Sequence, residues 1–371
     1  MIKVLVVDDS RTEQIMLSHM LTSESDIEVI GSVDDGLSAI KFLEHTKPDV
    51  IAMDLNMPGI DGLQTTRTIM ETVPIPIIIV TADKSLVTAA SAYKLVEAGA
   101  VGVVEKPHII DDLEHEERAH QLRRLVRNMS QVKLVHRWPK QKFESQPDPK
   151  IAKNALPSKE TSRSKVLVKA QPHIDSRQDN GSPAKTVSCI AIGASTGGPP
   201  VIKYLLKHLP ETLPVPIFIV QHIASGFCQG FAFWLKQELK HDLHIPANRE
   251  RVRPGHIYLA PSNYDMGVDK YNRIILVDKD PKNFGLQSVS FLFKSIAEHY
   301  GSSAIAMLLT GMGSDGAKEL KQLRDLGAIT IAQDEKTSVI HGMPGVAIKL
   351  EAAQHVMNPE QMSEFVRQIH W

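Results

Sequence analysis

Five short apolar runs pace the first 125 residues: Lys3–Val7, Glu28–Val33, Val50–Met53, Ile75–Val80 and Gly102–Val104. Between them apolar residues recur at helical spacing, as in Ile15, Leu17, Met20 and Leu21, then Leu37, Ile40 and Leu43. Strands alternating with helices leave few folds open, because parallel strands need crossovers and the crossover helices cover the sheet. The pattern predicts a doubly wound, flavodoxin-like domain of five parallel strands. It resumes at Val187, with strands expected at Val187–Ile192, Pro216–Gln221, Ile257–Ala260, Ile274–Val277, Ala304–Leu309 and Ala328–Ala332. Helices are expected at Val201–Leu209, Phe231–Leu239 and Val289–His299, giving a second α/β domain on a mostly parallel sheet.

The two patterns are separated by a change of character. A charged amphipathic stretch from Asp111 to about His136 reads as the last helix of the first domain, extending outward. From Trp138 to Lys185 the periodicity stops, and Pro139, Pro147, Pro149, Pro157, Pro172 and Pro183 sit among Lys, Ser, Gln and Asp. Such a stretch buries too little apolar surface to offset its ordering entropy, so a flexible linker is expected. The expected organisation is a first domain over 1–125, a helical extension and linker over 126–185, and a second domain over 186–371.

Composition removes several classes of function. Lys plus Arg total 42 against 43 for Asp plus Glu, so the basic bias of a nucleic-acid binder is missing. The second half also lacks the compact helical module and basic helix of a DNA-binding output. Two cysteines, Cys189 and Cys228, are too few for a disulfide framework and fit a reducing cytosol. The opening MIKVLVVDDS ends its short apolar run in two aspartates, as a strand does and a signal peptide does not. No run approaches the roughly 18–20 apolar residues that span a bilayer. A soluble, cytoplasmic protein with no membrane insertion is expected.

In the first domain Asp8 and Asp9 follow strand one and Asp54 follows strand three. Parallel strands bring these ends to one edge, where three carboxylates repel unless a cation sits among them; hard oxygen donors suit Mg²⁺. Thr81 and Lys106 follow strands four and five and bring a hydroxyl and an ammonium to the same edge. Lys106 precedes Pro107, the setting of a cis Lys-Pro turn. Together these groups make a phosphoryl-accepting site in which Asp54 attacks and the cations neutralise developing charge. VLVVDDS, MDLNMPGIDG, VTA and EKP resemble the receiver domains of response regulators over residues 1–125. The resemblance implies that Asp54 is the phosphoacceptor, served by a histidine kinase. It also implies that Asp9, Asp54 and the Asn56 carbonyl ligate Mg²⁺, with Asp8 acting through water, and that Thr81 and Lys106 form the switch. One departure is Val103, where receivers usually carry an aromatic residue three places before the lysine.

In the second domain VSCIAIGASTGGPP reads as a strand, a Gly-rich turn and a helix start, with Ser195 in the turn. Gly193 to Gly197 satisfies G-x-S-x-G, which exposes a nucleophile beside free backbone N–H groups. The same kind of turn also cradles phosphates, and serine is a frequent N-cap, so both readings stay open on the motif alone. The strand PIFIVQH ends in His222 on the edge that carries Ser195. Among sixteen histidines it is the best placed: His256 begins a strand, and His208, His241 and His299 fall in or near helices. Asp315, after the turn Thr310-Gly-Met-Gly, could orient that histidine or could simply cap the helix beginning at Ala317.

The order Ser…His…Asp differs from the Ser…Asp/Glu…His of α/β-hydrolases. GASTGG, the QH strand end, PGHIYLAP, LTGMGSDGA and HGMP together resemble the chemotaxis-type protein-glutamate methylesterases over about residues 187–371, in the same receiver–linker–hydrolase order. The resemblance implies a serine hydrolase that demethylates glutamates of methyl-accepting chemotaxis receptors and deamidates their glutamines, without a cofactor of its own. It implies Ser195 as nucleophile, His222 as general base, Asp315 as its orienter, and Thr196 and Met312 beside the nucleophile and oxyanion. In that family the unphosphorylated receiver packs over the hydrolase and obstructs its active site. Two segments depart from the family pattern. A Met-Pro-Pro-Gly-Phe-like turn is here Ile223-Ala-Ser-Gly-Phe227, and a His-Arg-Pro-Ser-Val-Asp loop is here Phe284-Gly-Leu-Gln-Ser-Val-Ser290. The rival reading is a regulator whose second domain only binds a partner or small ligand, with GASTGG as a phosphate cradle.

Overall fold

The computed structural model describes residues 1–82, 90–106, 112–130, 186–210, 212–223, 227–237, 239–279, 288–369 and 371. The stretch 131–185, Pro107, residues 224–226 and residues 284–287 lie outside these. So do the linker expectation, the Lys-Pro turn, and most of the two departing segments.

Strands β1 (Ile2–Val7), β2 (Ile27–Val33), β3 (Val50–Met53), β4 (Ile77–Thr81) and β5 (Gly102–Glu105) form one sheet in the order β2-β1-β3-β4-β5, every neighbouring pair parallel. Helices cover both faces, so the central strands are buried throughout. Val4 to Val7, Val50 to Met53 and Ile77 to Val80 are fully inaccessible, which explains their unbroken apolar sequence. The chain reverses direction across the sheet between β1 and β3, opening a crevice at their carboxyl ends, where Asp8, Asp9 and Asp54 emerge. The last helix of this domain, Asp112–Ser130, does not extend outward over the described residues. Leu122, Val126 and Met129, at helical spacing, are buried with Val4 and Val6 of β1, so packing continues beyond residue 125.

The second domain holds a seven-stranded sheet, all neighbouring pairs parallel, in the order β14-β13-β12-β6-β7-β9-β8. Its strands are β6 (Cys189–Ala194), β7 (Ile217–Gln221), β8 (Asp242–His244), β9 (His256–Leu259), β12 (Ala304–Leu308), β13 (Ile329–Gln333) and β14 (His355–Met357). The sequence expectation at Ile274–Val277 holds as a strand, β11 (Ile274–Asp278), but it pairs antiparallel with β10 (Tyr264–Val268) outside that sheet. The two edge strands β8 and β14 have three residues each, too short to show a periodicity. The chain leaves β6 toward β7 and later returns to its other side as β12, so the switch point lies at the carboxyl end of β6.

The two domains share a contact. Helix Ala90–Ala98 of the first lies on helices Gly198–Lys207 and Phe227–Lys236 of the second. Tyr93 is buried there, with ring centroids 4.9 Å from Phe231 and 5.5 Å from Trp234, and its hydroxyl donates to the Phe227 carbonyl at 3.2 Å. Burying such a side chain is worth roughly 1.5–3 kcal/mol, with about 0.5–1.5 more from ring stacking. Beside it Lys203 lies over Trp234 and pairs with Glu97 at 3.1 Å. Ile340 of the second domain packs against the first domain's cluster that includes Val80 and Leu122.

Candidate active site and acidic site

At the first crevice the carboxylate oxygens of Asp8, Asp9 and Asp54 lie within 4.8 Å of one another. Asp8 and Asp54 are buried while Asp9 is exposed, so the cluster opens to solvent on one side. Lys106 reaches in from the end of β5, 2.8 Å from Asp8 and 3.2 Å from both Asp54 and Glu13. One ammonium among four carboxylates leaves an excess of negative charge on oxygen donors. That donor set fits Mg²⁺, with Asp8, Asp9 and Asp54 as the residues able to hold it. Burial pushes the Asp54 carboxyl above its usual range, the Lys106 ammonium pulling down against it and the Asp8 charge pushing up again. For Lys106 burial works against the charge, but the hydrogen bond to Asp8 and the nearby Asp54 prevail and raise it. Thr81, the last residue of β4, is fully buried, and its carbonyl accepts from the Lys106 amide at 2.8 Å. Asn56 donates its backbone N–H to Asp54 at 3.2 Å. Val103 is partly buried against the core cluster around Ile79 and Leu95.

In the second crevice three neighbouring strand ends converge. Ala194 and Gln221 are register partners, so Ser195 and His222 follow them side by side, and the His222 amide donates to the Ala194 carbonyl at 2.9 Å. The Ser195 amide donates across the other side to the Thr310 carbonyl at 3.0 Å. Gly197 then turns the chain at φ +78°, where a Cβ would lie 2.1 Å from Val339, so the turn requires glycine. Gly311 faces Ser195 from the β12 side. A Cβ there would sit 2.6 Å from the Ser195 Cβ, so any larger residue would push on the serine.

Asp315 closes the group. It does not cap the helix that follows it: that helix, Ala317–Asp325, has Gly316 as its N-cap with no side-chain bond. Instead the carboxylate turns to the start of helix Val289–His299, accepting the amides of Val289 at 2.7 Å and Ser290 at 2.9 Å, and lies 2.8 Å from His222 Nε2. Burial pushes this carboxyl up, but the hydrogen bonds from His222 and Ser290 outweigh it and hold it below the usual carboxylate range. An ionised Asp315 only accepts, so Nε2 carries a proton, and in the neutral imidazole Nδ1 is then the bare nitrogen of His222. Ser195 Oγ makes no hydrogen bond among the described residues, so the serine stands beside this base without being held by it.

The helix after Ser195 begins Gly198-Pro199-Pro200, and the Gly198 amide is taken by the Ser195 carbonyl. Its first turn therefore offers fewer free donors than the sequence suggested, because proline has no N–H. Among the described residues the amides of Thr196 and Met312 have no acceptor, and both belong to the turns that flank Ser195.

Residues 190–366 match the CheB methylesterase family and residues 4–117 the response regulator receiver domain. The protein-glutamate methylesterase/protein-glutamine glutaminase 1 of Syntrophus aciditrophicus is 42% identical over 363 residues, covering 98% of this chain and 97% of its own. This chain belongs to the CheB methylesterase family. The corresponding protein of Nitrosospira multiformis is 39% identical, with 98% and 95% covered. The catalytic domain of Thermotoga maritima CheB methylesterase is 32% identical, covering 50% of this chain and 100% of its own, with a TM-score of 0.48. The chain is thus a receiver-bearing hydrolase of the CheB type, and no described helix is long and apolar enough to cross a membrane.

Several supports of this CheB-type site were not singled out from sequence. Gln221 is buried and donates to the Ser195 carbonyl at 2.8 Å, and Thr310 Oγ1 donates to the Thr196 carbonyl at 2.9 Å. Both are polar residues ending apolar strands, a signal that was there to read. Ser290 stands where the family loop usually ends in an acid. Its hydroxyl accepts from the Gly316 amide at 2.9 Å and donates to Glu319 at 2.7 Å. In the receiver, Glu13 beside Lys106 and the buried Gln14, which donates to the Asp8 carbonyl at 2.7 Å, sit on a helix face with no sequence signal.

Proposed function

We propose that this chain hydrolyses glutamate methyl esters, and deamidates glutamines, on methyl-accepting chemotaxis-type receptors, under control of phosphorylation at Asp54. The observation that carries the hydrolase reading is the ionised Asp315 bound to His222 Nε2, which leaves Nδ1 basic at the strand end next to Ser195. In the forward step Nδ1 takes the Ser195 proton as Oγ attacks the ester carbon. The imidazolium then gives that proton to the departing methoxide, releasing methanol and leaving an acyl-serine. Water attacks in turn, with Nδ1 again receiving the proton, and the carboxylate leaves as Ser195 is restored. For glutamine the leaving group is ammonia and the sequence is otherwise the same. The free amides of Thr196 and Met312 are the candidate donors to the oxyanion.

In the receiver Asp54 takes the phosphoryl group from a histidine kinase. Asp8, Asp9 and Asp54, with the Asn56 carbonyl that the receiver resemblance adds, would hold Mg²⁺, which would supply charge neutralisation for that transfer, while Lys106 supplies a cation from the protein. Tyr93, on the helix that precedes β5, lies in the contact with the hydrolase domain, which makes that contact the candidate route by which the receiver acts on the hydrolase. The carbonyl of Ile340, which packs against the receiver cluster that includes Val80 and Leu122, accepts from the Gly311 amide beside Ser195 at 2.9 Å. Docking of the receiver thereby bears on the loop that carries Met312.

A fluorophosphonate probe separates hydrolysis from simple phosphate binding in the GASTGG turn. Expected is stoichiometric labelling at Ser195, found by mass spectrometry and missing in Ser195→Ala. An unlabelled wild-type serine under conditions that label other serine hydrolases would favour the ligand-cradle reading.

A further inference from the structure

Away from both sites, the parallel pairing of β8 with β9 sets Asp242 beside His256 and His244 beside Tyr258. Alternate residues of a strand share a face, so Asp242, His244 and His256 project together from the edge of the sheet. Ligand atoms of the three lie within 4.8 Å of one another. His256 Nδ1 is 3.2 Å from one oxygen of Asp242 and His244 Nδ1 is 3.7 Å from the other. The buried Nδ1 of His256 has no hydrogen-bond partner among the described residues. The far nitrogen of His244, Nε2, lies 2.7 Å from Glu250, whose other oxygen accepts the Ala247 amide at 3.0 Å. Glu250 thus sits where a carboxylate can take the N–H of the His244 ring from the side away from Asp242.

We propose that Asp242, His244 and His256 form a binding site for a borderline divalent transition ion, Zn²⁺ in the first instance. Two imidazoles and a carboxylate are a nitrogen-rich donor set that suits zinc and not Mg²⁺. Glu250 occupies the outer position usual at such centres: a carboxylate that takes the N–H of a ligating imidazole, fixes its tautomer and aims the bare Nδ1 at the ion. Three protein ligands leave a fourth position for water. The site lies at the amino ends of its strands, the opposite end from Ser195. At about 3.3 Å per residue it is roughly 20 Å along the sheet from His222. Its consequence is structural: a bound ion would pin the three-residue edge strand β8 to β9 and to the Glu250 loop.

The test is calorimetric titration of the full chain with Zn²⁺ in chelator-free buffer, repeated with Co²⁺ for its visible absorption. Wild type is expected to bind one more Zn²⁺ per chain than His256→Ala and than His244→Ala. Asp54→Asn, which alters the receiver cluster, should keep that ion. Glu250→Gln should weaken it about 10–100-fold without abolishing it. Unchanged fluorophosphonate labelling of Ser195 reports that each variant is folded. Equal stoichiometry in wild type and the folded histidine variants, or an affinity indifferent to Glu250→Gln, would overturn the proposal.

Discussion

Ser195→Ala and His222→Ala should each lower methyl-ester hydrolysis by roughly 10⁴-fold or more, and the double variant should lose hardly anything further. The expectation follows from the division of labour at the three strand ends. The serine without Nδ1 has no acceptor for its proton, and Nδ1 without the serine has nothing to activate, so removing either removes the same step. Asp315→Asn should cost a similar amount or less. The amide keeps the shape but can donate to His222, favouring the tautomer with the proton on Nδ1, where the base is needed. The same carboxylate also ties helix Val289–His299 to the turn after β12 through two amides. Because its pKa is depressed in the fold, that stabilisation is complete above the unfolded carboxyl value of about 3.9. It is lost as the pH falls through the lower folded value. Turnover is measured as methanol released from a methylated receptor; a Ser195→Ala variant with near wild-type turnover places the nucleophile elsewhere.

Asp54→Ala should abolish acid-labile phosphorylation by a small phosphodonor with Mg²⁺ while leaving the fold intact. Asp54 is raised by burial and by Asp8, so its ionised form is less comfortable in the folded chain than in the unfolded one. A carboxyl raised on folding favours the folded state below the unfolded value, and that contribution fades as the pH climbs through the folded value. At neutral pH without metal, then, Asp54→Ala should melt no lower than wild type, and higher if repulsion among the carboxylates dominates. Lys106 keeps Asp8 and Glu13 as partners in the variant. Loss of phosphorylation with a sharply lowered melting temperature would mean that Asp54 is structural; normal labelling would move the phosphoacceptor to another residue.

Both crevices were legible in the sequence because their residues stand directly at strand ends, and a parallel sheet delivers strand ends to one edge. Asp8, Asp54, Ser195 and His222 all follow apolar runs that could hardly be anything but buried strands. Asp315 was harder. A residue before a helix is usually that helix's cap, and only the fold shows the carboxylate turned to a different helix start, at Val289. The supports were hidden for a related reason. Glu13 and Ser290 act across elements far apart in sequence, and Gln14, facing the buried Asp8 carbonyl from the next helix, looks like any polar helix residue. The cluster of Asp242, His244 and His256 rests on a strand of three residues, whose pairing partner decides everything and leaves no periodic trace. Tyr93 was not singled out from sequence, since a tyrosine on an amphipathic helix says nothing of which domain will cover it.

The most direct measurement is methanol release from a methylated chemotaxis receptor by the full-length chain, timed before and after adding a small phosphodonor with Mg²⁺. Phosphorylation is expected to raise the rate in wild type and to leave Asp54→Ala unchanged, while Tyr93→Ala, with the stack on Phe231 and Trp234 removed, should start faster without phosphate. A wild-type rate that is the same with and without phosphorylation at Asp54 would contradict control of the hydrolase by its receiver.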